Sequence, residues 1–186
     1  MATKVIKNQK KERTVLIIKP DGVKRGLIGE IIKRIEQREL KIVTLEMFTP
    51  TKKQIDGHYP KDEKWVNRLG EKTLIAFDKH GFDPVQEFGT KNTSVIGKQV
   101  RGWLIDYMIA GPIVKMIIEG PYAVAMVRKL IGATMPHDAE IGTIRGDFSI
   151  DSGTIANLER RVVSNLVHSS ETKEEALHEV QFWFGK

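Results

Sequence analysis

Cysteine is absent from all 186 residues, which removes disulfides, thiol nucleophiles, iron–sulfur clusters and Cys-ligated zinc together and suits a reducing, cytoplasmic compartment. Long apolar runs are absent too: none approaches the roughly 20 residues that a membrane helix requires. The segment Met1 to Arg13 carries lysines but no apolar core, so it is not read as a secretory signal. The familiar phosphate and hydrolase motifs are also missing. Gly97-Lys98 is the nearest approach to a Walker A loop, but Gln99 stands in place of the Ser/Thr and Asn92 in place of the first glycine. No G-x-G-x-x-G, no G-x-S-x-G and no H-E-x-x-H occurs, which argues against a dinucleotide fingerprint, a nucleophile elbow and a zinc hydrolase.

What is present describes an ordinary globule of one domain, 40% hydrophobic and 29% charged, large enough to bury a core without staples. The net charge of +6 invites a nucleic-acid reading until its location is considered. Lys4, Lys7, Lys10, Lys11 and Arg13 against Glu12 leave +4 within the first 13 residues and only +2 on the rest. A basic arm, residues 1–12, thus precedes a nearly balanced body, and nucleic acid is not expected as the main partner.

Arg13 to Ile18 is β-branched and reads as the first strand, stopped by the turn sequence Lys19-Pro20-Asp21-Gly22. Leu27, Ile28, Ile31, Ile32 and Ile35 recur at helical spacing, and Lys41 to Phe48 reads as a strand. Ile113 to Glu119 is a further strand; Pro121 suits the first turn of a helix carrying Val124, Val127 and Leu130 inward. Gly132 to Ser149 is expected to be irregular and Val162 to Val167 strand-like, ending at His168. A closing helix is predicted from near Ser170, with Glu171, Glu174 and Glu175 in its first turns and Leu177, Val180 and Phe184 buried. Strand, helix, strand, insert, strand, helix, strand, helix predicts a ferredoxin-like βαββαβ α/β sandwich with a four-stranded antiparallel sheet.

Cations and hydroxyls gather at the ends of these elements: Lys19, Arg128, Thr134, Arg145 and His168. Each alone also fits a plain role as a turn, ion-pair or structural residue. Their combination carries more. The segments Ile18-Lys19-Pro20-Asp21-Gly22-Val23, Arg25-Gly26-Leu27-Ile28-Gly29-Glu30, His58-Tyr59, Ala110-Gly111-Pro112, Gly142-Thr143-Ile144-Arg145-Gly146-Asp147-Phe148 and Asn165-Leu166-Val167-His168-Ser169-Ser170 together resemble the nucleoside diphosphate kinase family. The resemblance spans Arg13 to Tyr59 and Arg101 to Phe184.

The resemblance implies that His168 is a nucleophile taking the γ-phosphoryl group of a nucleoside triphosphate such as ATP and passing it to a nucleoside diphosphate in a ping-pong cycle. An imidazole suits this, being largely neutral near pH 7 and forming a transferable phosphoramidate. It implies that Lys19, Tyr59, Arg128, Thr134 and Arg145 hold phosphates, that Asn165 with Lys19 meets the ribose 3′-hydroxyl, and that Glu179 accepts the other ring N–H. Ser170 is expected to cap the last helix and touch Glu179. Mg²⁺ is expected as cofactor, held through nucleotide phosphates rather than by protein ligands, in a homo-oligomer (hexamer or tetramer) with broad base tolerance.

Three departures stand out. Ser169 follows the histidine where the family carries glycine, which bears on the local backbone angle. About residues 61–98 form a helical insertion, too long for an ordinary connection. Val100 aligns where the family offers a phenylalanine to the base. Trp65, Phe77, Phe82 and Phe88 could restore that stacking or build a small core of the insertion itself. A catalytically impaired nucleotide-binding or interaction module is the alternative reading.

Overall fold

The β-branched run forms β1 (Glu12–Ile18), whose Val15 to Ile18 are fully enclosed. In the computed structural model, which describes residues 11–185, β1 is an interior strand of a four-stranded sheet of order β2-β3-β1-β4, with β2 (Lys41–Phe48), β3 (Ile113–Gly120) and β4 (Val167–Ser169). Residues 1–10 of the basic arm lie outside the described residues. Each neighbouring pair is antiparallel: Val15 faces Ile117 across β1–β3, and Ile17 faces His168 across β1–β4. This is the ferredoxin-like sandwich that the element order predicts.

After β1 come α1 (Pro20–Lys24) and α2 (Ile28–Glu36); α3 (Lys52–His58), α4 (Glu63–Lys79), α5 (Pro84–Phe88) and α6 (Thr93–Met108) follow β2. Between β3 and β4 lie α7 (Ala123–Ile131), α8 (Ile144–Phe148) and α9 (Gly153–Leu158), and α10 (Lys173–Phe184) closes the chain. Two compact units result. One holds the chain up to Thr49, Gly111–Ile150 and the chain from Asn165; the other holds Pro50–Ala110 and Asp151–Ser164.

In the first unit one sheet face buries Leu16, Ile18, Val114, Met116 and Ile118 against Ile31 and Ile35 of α2 and Val127 and Ile131 of α7. Each such side chain contributes about 1.5–3 kcal/mol by leaving water. The other face carries α10, which packs on β1 and buries Ala176, Glu179, Val180 and Trp183. Lys115 of β3 fastens the end of that helix. Its Nζ donates to the Trp183 carbonyl at 2.6 Å, pairs with Glu46 at 3.0 Å, and lies 4.9 and 4.6 Å from the ring centroids of Phe48 and Phe184. A cation at a helix C-terminus answers the unpaired carbonyls and the negative dipole end.

Local expectations are corrected at several points. Lys19-Pro20-Asp21-Gly22 does not merely turn: Pro20 opens the short helix α1, where its missing N–H costs nothing. Pro121 stands before the helix rather than in its first turn, because Tyr122 is the N-cap residue of α7. Gly132 to Ser149 contains a 3₁₀ turn at Pro136–Asp138 and the helix α8, whose N-cap Thr143 accepts from the Gly146 N–H. The strand before His168 shrinks to Val167–Ser169, since Leu166 takes a positive φ of 67° that no strand tolerates. The last helix starts at Lys173 behind the N-cap Thr172, not near Ser170. Leu177, expected inside, is 74% exposed; a carboxylate, Glu179, takes the inward position instead.

In the second unit, α4 and α6 meet backbone to backbone. A Cβ on Gly97 would fall 1.9 Å from the Val66 carbonyl oxygen, and one on Gly70 would fall 2.0 Å from that of Thr93. Phe77 is fully buried, with ring centroids 5.9 Å from Phe82 and 5.5 Å from Phe88, which in turn lies 5.8 Å from Trp103. These aromatics build the unit's own core. Gly97→Ala should therefore cost about 1–3 kcal/mol by overpacking, whereas Gly102→Ala on the same helix, where a Cβ meets nothing within 4 Å, should gain up to about 1 kcal/mol. Urea midpoints of the two variants should move in opposite directions; a shared direction refutes the tight crossing.

Candidate active site

β4 begins where β1 ends, and that junction collects most of the residues singled out by sequence. His168 lies mid-strand opposite Ile17, with 21% of its side chain exposed. Its Nε2 is 2.7 Å from Oε1 of the buried Glu179 on α10. The Ser170 hydroxyl donates to the other carboxylate oxygen at 2.6 Å and accepts from the Val15 N–H at 3.4 Å. A carboxylate on Nε2 fixes the proton there and leaves the lone pair on Nδ1. Ser170 thus touches Glu179 as expected but does not cap the helix. Ser169 has strand backbone, pairing with Leu16, so the conformational need for glycine after the histidine does not arise here.

Lys19 follows β1 directly. Its Nζ donates to the Asn165 Oδ1 at 2.6 Å, and the Asn165 amide donates to the Thr134 carbonyl at 2.8 Å, so one side chain bridges the Lys19 end and the loop after α7. Burial, and then the nearby Arg145 guanidinium, push the Lys19 amine down to about 7, with Asp21 opposing them. Arg145, also buried, donates Nε to the Asn165 carbonyl, Nη1 to those of Gly132 and Ala133, and Nη2 to that of Val167 at 2.7 Å. Thr134 itself is exposed beside this loop. Arg128 stands on α7, its guanidinium 3.8 Å from Glu171. An exposed pair of that length is worth under about 1 kcal/mol, so an anion can displace it.

Tyr59 belongs to the second unit. It is the C-cap residue of α3, with its ring 5.0 Å from His58 and 6.1 Å from Trp65, and its carbonyl accepts from Arg101. Arg101 also donates to the Asp56 and Pro60 carbonyls and to the Asp56 carboxylate, which fixes the turn carrying Tyr59. Sequence reading missed Arg101, for its partners are separated from it by more than forty positions and by no motif. It also read Asp21 as a turn residue alone, although its carboxylate accepts the Leu166 N–H at 3.1 Å.

The side chains gathered at the β1–β4 junction are the Lys19 ammonium, the Arg145 guanidinium, an amide and an imidazole, with two carboxylates: Glu179, committed to His168 and Ser170, and Asp21, committed to the Leu166 N–H. That donor set suits anionic oxygens and offers a divalent cation little, so Mg²⁺ fits only as a companion of bound phosphates. An antiparallel ferredoxin-like sandwich with a tautomer-fixed imidazole among buried cations defines an α/β enzyme of phosphoryl groups.

Comparison with known proteins agrees. The nucleoside diphosphate kinase family model matches residues 12–69 and 93–186. The nucleoside diphosphate kinase of Pyrobaculum aerophilum is 49% identical over 173 residues, covering 93% of this chain and 94% of that one. The crystal structure of an NDP kinase from the same organism superposes with a TM-score of 0.91 at 46% identity, over 94% and 96% of the two chains. A Borrelia burgdorferi nucleoside-diphosphate kinase, solved as a transition-state mimic with vanadate and ADP, gives 0.74 at 31% identity, over 94% of this chain and 87% of that one. The chain belongs to the nucleoside diphosphate kinase family and is a phosphotransferase.

The Lys19 shift has a consequence for stability. The unfolded amine keeps its proton up to about 10.5 and the folded one only to about 7, so the unfolded chain binds more protons between these values and stability rises with pH across that window. Below about 7 both states are protonated and the destabilisation is complete. Lys19→Met should unfold at higher urea than the parent at pH ~6 and lose that advantage toward pH ~10. An unchanging difference would place the Lys19 amine at its ordinary value.

Proposed function

We propose that this chain transfers the γ-phosphoryl group of ATP, or another nucleoside triphosphate, to a nucleoside diphosphate through a phosphohistidine on His168. The observation that carries the proposal is the buried Glu179 on Nε2, which directs the lone pair of Nδ1 to the reaction. In the first half-reaction the Nδ1 lone pair forms a bond to the γ-phosphorus as the bond to the β–γ bridging oxygen breaks, and the diphosphate leaves. In the second, a terminal phosphate oxygen of the acceptor diphosphate attacks the same phosphorus and the nitrogen–phosphorus bond breaks, restoring the imidazole. Glu179 holds the Nε2 proton throughout and steadies the positive charge that the ring develops.

Lys19, Arg128, Thr134 and Arg145 hold the phosphates, the Lys19–Asn165 pair meets the ribose 3′-hydroxyl, and Tyr59 is read as a further nucleotide-binding residue. Phosphate binding raises the Lys19 amine back to its charged form, since an adjacent anion favours the ammonium. Mg²⁺ carried by the phosphates supplies charge neutralisation between them. Recognition through phosphates and ribose, which all nucleotides share, supports broad base tolerance, with Val100 on α6 where a stacking ring would otherwise stand. The reading further includes one catalytic domain spanning the chain, with an insertion at about 61–98 and a basic arm at 1–12, in a cytoplasmic homo-oligomer, hexamer or tetramer. The family model leaves residues 70–92 unmatched, which supports the insertion.

Incubation with γ-labelled ATP should yield an acid-labile, base-stable phosphoprotein. His168→Ala should abolish both the label and turnover while nucleotide binding survives; turnover above a few per cent of the parent would end the covalent mechanism.

Arg128 and Arg145 should separate cleanly. Each alanine variant should lose about 2–4 kcal/mol of transition-state stabilisation in kcat/KM, the range for one preorganised donor. Arg145→Ala should in addition lower the unfolding midpoint, because four backbone carbonyls lose their donor, while Arg128→Ala should leave it in place. Equal midpoints for the two would remove the scaffolding role of Arg145.

A further inference from the structure

Leu166 joins Asn165 to the strand of His168, and its backbone is out of the ordinary. Its φ is +67°, and the Val167 N–H donates to the Asn165 carbonyl at 2.7 Å, two residues back. That hydrogen bond around a positive φ is the rarer and more strained form of γ-turn, and a branched, fully buried leucine is a poor residue for it. Something must hold it there.

Three features of Lys19-Pro20-Asp21-Gly22 do so. The Lys19 N–H donates to the Leu166 carbonyl at 2.8 Å. The Asp21 Oδ2 accepts the Leu166 N–H at 3.1 Å. Gly22 leaves room for that carbonyl, since a Cβ there would lie 3.1 Å from its oxygen. Both polar groups of the strained residue are therefore bound by the segment that also carries the Lys19 amine. The other Asp21 oxygen is buried and accepts no hydrogen bond among the described residues, so Leu166 is the hydrogen-bonding anchor of this carboxylate.

We propose that Asp21 is a positioning residue: through the Leu166 N–H it holds the strained turn that aims the Asn165 amide at Lys19 and fixes where the His168 strand begins. Losing the carboxylate leaves a buried N–H without an acceptor and a strained turn secured on one side only. The turn relaxes, and the amide that meets the ribose hydroxyl drifts first. This extends the reading of Asn165 and Lys19 given above and rests on it.

The test uses the full chain with Asp21→Ala and Asp21→Asn, the asparagine keeping a carbonyl acceptor. Hydrogen exchange of the Leu166 amide should quicken at least about tenfold in Asp21→Ala, with the β1–β3 amides unchanged, and return near the parent rate in Asp21→Asn. The preference for an acceptor diphosphate with a 3′-hydroxyl over its 3′-deoxy analogue should fall at least about tenfold in Asp21→Ala, as in Asn165→Ala, and recover in Asp21→Asn. Unchanged Leu166 exchange in Asp21→Ala overturns the clamp. A preference lost in Asn165→Ala but kept in Asp21→Ala overturns the positioning role. Quickened exchange with the preference kept in both alanine variants supports the clamp and removes the ribose role from Asn165, which separates the two readings.

Discussion

Two cations buried side by side, Lys19 and Arg145, are the constraint around which the first unit is arranged. Desolvation and the neighbouring guanidinium both oppose the charge on Lys19, and Asp21 only partly offsets them. Arg145 tolerates burial because backbone carbonyls from two loops satisfy its fork of donors, whereas Lys19 yields and gives up affinity for its proton. The fold thus keeps a site whose unmet need is negative charge. An oxygen-rich, multiply charged anion would answer that need better than a single carboxylate of the chain.

His168 is positioned by a different constraint. Glu179 occupies what would be an apolar position on α10, and it is admitted to the interior because His168 and the Ser170 hydroxyl take up both of its oxygens. The helix end is fastened by Lys115, which binds the Trp183 carbonyl with its ammonium close to two aromatic rings. A β3 side chain thereby holds the C-terminal end of the same helix whose Glu179 meets β4. The short β4 is itself pinned to β1 through Ile17 and Leu16, both fully buried on an interior strand of the sheet. Rigidity at the imidazole follows from packing two elements away.

The helical second unit illustrates how far composition leads. Trp65, Phe77, Phe82 and Phe88 were open to two readings, base stacking or a local core, and the rings of Phe77, Phe82 and Phe88 joined with Trp103 favour the core. Glycines at 70 and 97 were legible as residues but not as a crossing. Their meaning depends on which backbone lies opposite, and a carbonyl within 2.0 Å of an imagined Cβ is a fact of three dimensions. Arg101 was invisible for the same reason, since nothing near it in sequence says that it gathers the carbonyls around Tyr59.

By itself the sequence determined the sandwich, because the β-branched runs and the 3.6-residue stripe of α2 can bury their faces in few other ways. It also singled out Lys19, Arg145 and His168 at element ends, while Asn165 and Glu179 came only through the resemblance to the family. It misjudged the inward face of α10 by choosing Leu177, since periodicity counts apolar residues and cannot know that a carboxylate has two partners waiting inside. It drew the last strand too long, because a leucine carries no mark of the positive φ that it is forced to adopt. Those decisions belong to tertiary structure. Hydrogen bonds between residues about 145 positions apart, such as Leu166 with Asp21 and Asn165 with Lys19, outweigh the local preference of each residue, and no window of sequence contains both ends of them.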